Sequence, residues 1–459
     1  MFGTSGIRGP VGEAVTADLA LAVGRALGVD TERVTVGRDP RESGLLLTDA
    51  LTAGLRETGT DVLDLGLAAT PTVARAIAWY DADAGVSITA SHNPPADNGI
   101  KLWQASGQAF DDARREEIER RVREETFDLA SWDGLGTRTR EDATDRHVDA
   151  ILEATDLAAE DAPAVAIDLG AGAGGVTIEA LAELGCAVET LNAQPDGGFP
   201  ARPSEPNAET VTSLAALVAG SDAALGVAHD GDADRLVAID GQGEFVPKDA
   251  LLAIFAGEAA SEGETVACPV DTSLAVEDYL ADRGIEVEYT PVGDVHVAEA
   301  LGGDTVFGGE PSGAWIWPDQ TRCPDGPLAA CRLVALCAQR PLAERVGDVP
   351  AYPIERVNVE VAGKNAIMDR VRERALEGSE GEADRSGADE GEAGGGGASG
   401  DGREVRTLDG VRIDTESGWF LVRASGTQPL IRVTAEAREA DRAAALSERG
   451  RSLVENARR

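Results

Sequence analysis

The chain is predicted to be an α/β protein: three similar domains with mainly parallel, mixed sheets, followed by a C-terminal α+β domain. Three observations carry this. Strand-like and helix-like stretches alternate over the first 350 residues, the pattern of layered α/β structure. The alternation restarts near residues 151 and 248, which divides the region into similar rounds. At 459 residues the chain exceeds what one ordinary core serves, and its 42% apolar content suffices for burial. The expected domains are 1–150, 151–247, 248–350 and 351–459.

In the first round Arg33–Val36 reads as a strand and Arg41–Thr58 as a helix, with Gly59 at its C-terminal end. Asp61–Leu65 is the next strand, and Pro71–Tyr80 a helix with proline in its first turn. Gly85–Thr89 is an apolar strand, and Asp111–Glu125 a charged helix whose Arg/Glu run is a solvated face. The second round reads as strand Ala164–Leu169, helix Val176–Leu184, strand Ala187–Leu191 and helix Glu209–Ala219. Strand Ala223–Ala228 follows, continued by Leu236–Asp240.

The third round has a helix from Lys248, strand Thr265–Val270, helix Ser273–Arg283 and strand Ile285–Tyr289. Helix Val295–Ala300 and strand Thr305–Phe307 complete it. The last part reads as strand Glu355–Val361, helix Ala366–Leu376, strands Val411–Ile413, Trp419–Arg423 and Leu430–Thr434, and helix Glu439–Asn456. Within it, Glu377–Gly402 is a low-complexity run of Gly, Glu, Asp and Ser. Such a segment buries too little apolar surface to fold and is expected to be a disordered surface insertion.

Lysine and arginine total 41 against 82 acidic residues, a net charge of -41, and only Lys101, Lys248 and Lys364 are lysines. Self-repulsion on this scale acts over about 30 Å in 0.01 M salt but only about 3 Å in 1 M. A high-salt cytoplasm is therefore the expected setting, and the unfolding midpoint is expected to rise toward molar KCl. So acidic a surface excludes nucleic acid as a partner. Five cysteines without a C-x-x-C pair read as buried thiols rather than a disulfide framework. The N-terminal residues lack the basic and apolar stretches of a signal peptide, and runs such as Leu251–Ala256 are too short to span a bilayer. No membrane association is expected.

Four loops and one glycine run could carry chemistry. Thr89-Ala90-Ser91-His92-Asn93-Pro94 puts a serine at the carboxyl end of a strand, where ligands bind in open α/β sheets. Asn98-Gly99 reads as a tight turn presenting Lys101 back toward Ser91. A loop in which Ser91 only caps a helix accounts for the same residues. Asp230, Asp232 and Asp234 alternate, so their carboxylates can converge on one hard cation such as Mg²⁺. An EF-hand is excluded because Arg235 stands where its sixth position needs glycine, which leaves a solvated acidic turn as the other reading.

Gly308–Gly313 reads as a flexible turn carrying Glu310 and Ser312, the mixed acceptors and donors that sugar hydroxyls need, or as a plain turn. Arg423 and Arg432 bracket Ser425-Gly426-Thr427, a set of guanidinium forks, hydroxyls and N–H groups suited to one phosphate. Gly170–Gly175 matches G-x-G-x-x-G after a strand, with Glu189 about 20 residues on, and so also reads as a nucleotide or S-adenosylmethionine site.

Together, FGTSGIRG at Phe2–Gly9, TASHNPPADNGIK at Thr89–Lys101, DGDADR at Asp230–Arg235, GGEPSG at Gly308–Gly313 and RASGTQPLIRV at Arg423–Val433 resemble the α-D-phosphohexomutase family, in order and spacing. The resemblance implies four domains around a central cleft and an intramolecular phosphotransferase. It interconverts hexose 6-phosphate and hexose 1-phosphate through a phosphoserine at Ser91 and a bisphosphate intermediate. Asp230, Asp232 and Asp234 would hold Mg²⁺ together with phosphorylated Ser91, while Arg8, His92 and Lys101 flank the transferring group. Glu310, Ser312 and Arg235 would grip the sugar phosphate; Arg423, Ser425, Gly426, Thr427 and Arg432 would hold the phosphate that is not reacting. A lysine able to titrate at position 101 suits proton transfer. The glycine run fits the same family without a nucleotide. Ala314 and Pro311 depart from residues common in relatives; glucosamine phosphate is the expected substrate, with glucose and mannose phosphates as alternatives. The protein is expected to work as a cytoplasmic monomer or homodimer.

Overall fold

The computed structural model describes residues 2–3, 6–383, 397–399, 403–425 and 429–459. The three rounds of the sequence become three copies of one four-stranded unit. In the first, Asp61–Leu67, Arg33–Arg38 and Ala84–Ile88 lie parallel side by side, and Asp97–Gln104 returns antiparallel to Ala84–Ile88. In the second, Ala187–Leu191, Ala164–Asp168 and Leu225–Ala228 are parallel, and Val237–Asp240 returns antiparallel. In the third, Glu286–Thr290, Thr265–Pro269 and Thr305–Glu310 are parallel, and Ala314–Ile316 returns antiparallel. The first sheet gains an edge strand on each side, Ile7–Pro10 and Arg138–Arg140. The last sheet is antiparallel throughout, in the order Ile354–Glu360, Leu430–Ala437, Gly418–Ala424, Val411–Thr415, Arg403–Arg406, Gly397–Ser399.

Burial follows from these layers. Leu47, Leu51 and Leu55 on helix Gly44–Glu57 close over Val34, Val36 and Val86 of the first sheet, all of them fully buried. Each such side chain contributes about 1.5–3 kcal/mol on leaving water. The second and third sheets share one apolar core, in which Leu225 and Val227 join Phe307, Trp315 and Leu333. The fourth sheet has its own core beneath helix Ala440–Ala457. All five cysteines are buried and unpaired. Among the described residues no helix is long and apolar enough to cross a membrane.

Several local expectations are corrected. Asn98-Gly99 is not a turn but part of strand Asp97–Gln104, and the chain reverses before it, over residues 91–96. Val237–Asp240 does not continue the strand before it but folds back on it. The strand leading into Gly308–Gly313 runs on through Glu310, so that carboxylate sits on a strand end rather than a flexible turn. Helices Ala17–Gly28, Thr144–Glu153 and Gly326–Gln339 were not foreseen. Of the expected insertion at 377–402, its first residues extend helix Lys364–Ala383, and Gly397–Ser399 pairs with Arg403–Arg406. Residues 384–396 and 400–402 lie outside the described residues.

Candidate active site

In each repeated unit the last parallel strand feeds a hairpin back to its antiparallel neighbour, and the three hairpins are three of the loops singled out by their residues. Each turns through a left-handed residue: Ser91 at φ 50°, Ala233 at φ 55° and Gly313 at φ 101°. For a serine or alanine this conformation costs roughly 1–2 kcal/mol, so surrounding bonds must hold it.

At the first hairpin Arg41 does most of the holding. Its backbone N–H and Nε donate to Asp39 at 3.0 and 2.9 Å, and the helix starts at Gly44 rather than at Arg41. The guanidinium then donates to the carbonyls of Ser91 (2.9 Å), Asn93 (2.7 Å), Pro94 (2.5 Å) and Asp97 (2.9 Å). Burial raises the Asp39 pKa to about 6, against the lowering pull of Arg41. The Ser91 N–H donates to Thr89 Oγ1 at 2.8 Å, and Ser204 Oγ donates to the Ser91 carbonyl at 2.7 Å. No helix follows Ser91, so capping is not its role.

Ser91 Oγ donates to Asp230 Oδ2 at 2.6 Å and lies 3.4 Å from His92 Nδ1. The two hairpins touch closely: a Cβ on Gly231 would fall 2.7 Å from Ser204 Oγ and 2.9 Å from the Ser91 carbonyl. Burial, then the charges of Arg235 and Arg8, lower the His92 pKa to about 3, so its imidazole is neutral. Lys101 sits opposite Ser87 on the return strand, donates to Asp234 Oδ2 and lies 3.6 Å from Asp232 Oδ2. Burial alone would lower its pKa, but Asp234 and Asp232 outweigh burial and shift it upward. Arg8 pairs with Gly99 across the neighbouring strands, and its buried Nε has no partner among the described residues.

Asp230, Asp232 and Asp234 are buried, and each offers an oxygen within 4.8 Å of the others. Burial, then the neighbouring Asp234 and Asp232, push the Asp230 pKa well above the ordinary carboxylate value. Asp232 Oδ1 and Asp234 Oδ1 are buried without a hydrogen-bond partner among the described residues. Crowded, buried carboxylates with two oxygens unsatisfied fit a small divalent cation, and the group can hold a metal ion.

The third hairpin is stitched to the second. The Leu236 N–H donates to the Gly313 carbonyl at 2.9 Å, and Arg235 bridges to Ala314. Buried Glu310 accepts from the Gly293 N–H at 2.6 Å and from Ser312 Oγ at 3.0 Å. Burial, then the nearby Asp294, raise its pKa to about 7. In the fourth sheet Arg423 and Arg432 stand opposite each other and line, with Ser425, Arg356 and Asp271 of the third unit, a cavity of about 360 Å³. Arg423 pairs with Asp409 at 2.8 Å, and Arg432 Nε donates to Asn358 at 3.2 Å. Gly426 and Thr427 lie outside the described residues.

The structure thus joins Ser91, His92, Lys101, the three aspartates, Arg235, Glu310 and Ser312 in one contiguous set. Sequence reasoning passed over groups that hold the candidate loops, namely Arg41, Ser204 and two lysines. Lys248 Nζ donates to the Ser312 carbonyl at 3.4 Å, and Lys364 Nζ to the Ser425 carbonyl. All three lysines of the chain therefore reach candidate loops, and their rarity in so arginine-rich a chain is the sequence signal for them. Gly170–Gly175 braces the second hairpin, for the Ala173 N–H donates to the Gly231 carbonyl at 2.9 Å. Arg202 secures the same region, donating to Asp168 Oδ2 at 2.8 Å and to the His229 carbonyl at 2.7 Å.

Residues 1–129, 145–243 and 247–352 match the family descriptions phosphoglucomutase/phosphomannomutase alpha/beta/alpha domain I, II and III, and 357–451 match the C-terminal domain. The chain belongs to the phosphoglucomutase/phosphomannomutase family. Within it, the chain is similar to a probable phosphoglucosamine mutase of Methanococcoides burtonii, with 42% identity over 454 residues and 98% of each chain covered. Another of the same description, from Methanothermobacter thermautotrophicus, is 44% identical over 466 residues, covering 99% of this chain and 98% of that one. Among solved structures, a phosphoglucomutase/phosphomannomutase family protein of Burkholderia thailandensis superposes with a TM-score of 0.84 at 26% identity, covering 100% of this chain and 98% of the other.

Proposed function

We propose that the protein interconverts glucosamine 6-phosphate and glucosamine 1-phosphate through a phosphoserine at Ser91 and a sugar bisphosphate. The observation that carries this is the position of Ser91 Oγ, 2.6 Å from Asp230 amid buried carboxylates and fixed cations. Phosphoryl transfer needs positioning and charge neutralisation more than covalent chemistry, and these residues supply both. In the first transfer the P–O bond to Ser91 Oγ breaks as a bond forms to the free sugar hydroxyl, which gives up its proton. The bisphosphate turns end for end, and its other phosphoryl group returns to Ser91.

Arg8 and Arg235 act as fixed positive charges around the moving group, and His92 stands 3.4 Å from Ser91 Oγ. Lys101 takes the hydroxyl's proton: with Asp232 and Asp234 committed to a cation, the burial that lowers its pKa is no longer offset. Asp230, Asp232 and Asp234, with a phosphoserine oxygen, would hold Mg²⁺, which when bound offsets charge on the phosphoryl oxygens. Glu310 and Ser312 bond sugar hydroxyls, and Arg423, Ser425, Gly426, Thr427 and Arg432 hold the idle phosphate. In this reading residues 1–150 carry the phosphoserine, 151–247 the metal, 248–350 the sugar loop and 351–459 the second phosphate site.

Two observations support glucosamine. Both relatives named above carry the description phosphoglucosamine mutase. Asp294 also raises the Glu310 pKa, so two acidic groups lie where an ammonium would be favoured over a hydroxyl. Turnover of glucosamine, glucose and mannose 6-phosphates, compared side by side in molar salt, tests the reading. Glucosamine 6-phosphate is expected to have the highest kcat/KM; a preference for either other sugar overturns the substrate, and no turnover of any overturns the activity.

A further inference from the structure

We infer that Thr70 is a positioning residue for the metal site, fixing Asp232 from a helix of the first unit. The inference rests on the metal reading proposed above. Thr70 is the first residue of helix Thr70–Trp79 and is buried. Its N–H donates to the Asp232 carbonyl at 2.9 Å, and its Oγ1 donates to Asp232 Oδ2 at 2.6 Å. One residue thus grips both the backbone and the carboxylate of a proposed ligand that lies 162 positions further along the chain. Because Thr70 takes Oδ2, the carboxylate cannot rotate freely, and the oxygen left without a partner is Oδ1.

The same helix reaches the far side of the loop through the third unit. Arg75 Nε donates to Asp325 Oδ2 at 2.7 Å, and both side chains are buried. Asp325 caps helix Gly326–Gln339 by accepting from the Leu328 N–H at 2.9 Å. That helix begins hard against the metal loop: a Cβ on Gly326 would lie 2.7 Å from the carbonyls of both Ala233 and Arg235. The loop of the second unit is therefore clasped between helices of the first and third, and Arg75–Asp325 links the clasp. Groups that orient a metal ligand typically contribute about 10–100-fold to metal affinity.

Thr70→Val removes the hydroxyl donor while keeping shape and N–H, and Thr70→Ser restores the donor. The test is Mn²⁺ binding to the full chain, followed by paramagnetic resonance in molar KCl, with Asp230→Asn as the blank for ions held by the acidic surface. The expected result is a site in the unaltered protein that Asp230→Asn loses. Thr70→Val should weaken it about tenfold and Thr70→Ser less than about twofold. Thr70→Val binding Mn²⁺ as tightly as the unaltered protein, or Thr70→Ser binding as weakly as Thr70→Val, overturns the inference. Absence of a site that Asp230→Asn removes would instead overturn the metal reading itself. If circular dichroism shows Thr70→Val unfolded, Thr70→Ala against Thr70→Ser gives the same comparison.

Discussion

The hairpin carrying Ser91 and the hairpin between Arg423 and Arg432 occupy similar places in their sheets but are built in opposite ways. The first is organised by an arginine with a fully buried side chain, which donates to four carbonyls of the loop. The second offers arginines to an open cavity, with the Arg423 side chain 38% exposed and paired with Asp409. Burying a guanidinium is costly unless its donors are satisfied, and around Ser91 they are spent on fixing one backbone path. An exposed arginine keeps its donors exchangeable, which suits a group that must release a ligand and take it up again. In the proposed reaction, rigidity lies where atoms react, and adjustability where the molecule is only held.

The comparison breaks most visibly at Arg41. Arg41→Met strands Asp39 as a buried carboxylate and frees four carbonyls, and it should cost about 3–5 kcal/mol of stability. Chemical denaturation measures this, and activity should fall with it. Unchanged stability would mean that the Ser91 loop holds its shape without the arginine. Arg432→Ala sits at the other pole. It should raise KM for the sugar phosphate about 10–100-fold, leave kcat within a few-fold and hardly move the melting temperature. A large loss of stability there would erase the contrast.

Glu310 sharpens the same picture by pH. Burial raises its pKa to about 7, and in the proposed role the carboxyl must be ionised to accept from sugar hydroxyls. The sign follows: kcat/KM should climb with pH, about tenfold per unit below the pKa, and level off above it. Glu310→Gln should flatten that limb at a lower rate. A profile that keeps the limb in Glu310→Gln would assign it to another group.

Much of the site was legible because its chemistry is local. Asp230, Asp232 and Asp234 alternate in sequence, and the repeat of strand and helix announced three similar sheets. What stayed hidden depends on distant partners. Arg41 bonds carbonyls about fifty residues away, and nothing in the letters near Asp39 states that the guanidinium points there. Helix Gly326–Gln339 is buried on nearly every side, so it lacks the one-sided apolar stripe by which a surface helix is recognised. Asn98-Gly99 has turn-forming residues, but the pairing of its strand with Ile7–Pro10 overrides that preference.

The central claim is that Ser91 carries the phosphoryl group, and mass spectrometry of the protein mixed with a hexose 1,6-bisphosphate tests it most directly. The expected result is one added phosphoryl group, found on the peptide containing Ser91 and lost when a hexose monophosphate is supplied. Ser91→Ala should take up none and should lose turnover by about 10⁴-fold or more while keeping its fold. A phosphoryl group found on another residue, or Ser91→Ala turning over substrate at the normal rate, would contradict the account.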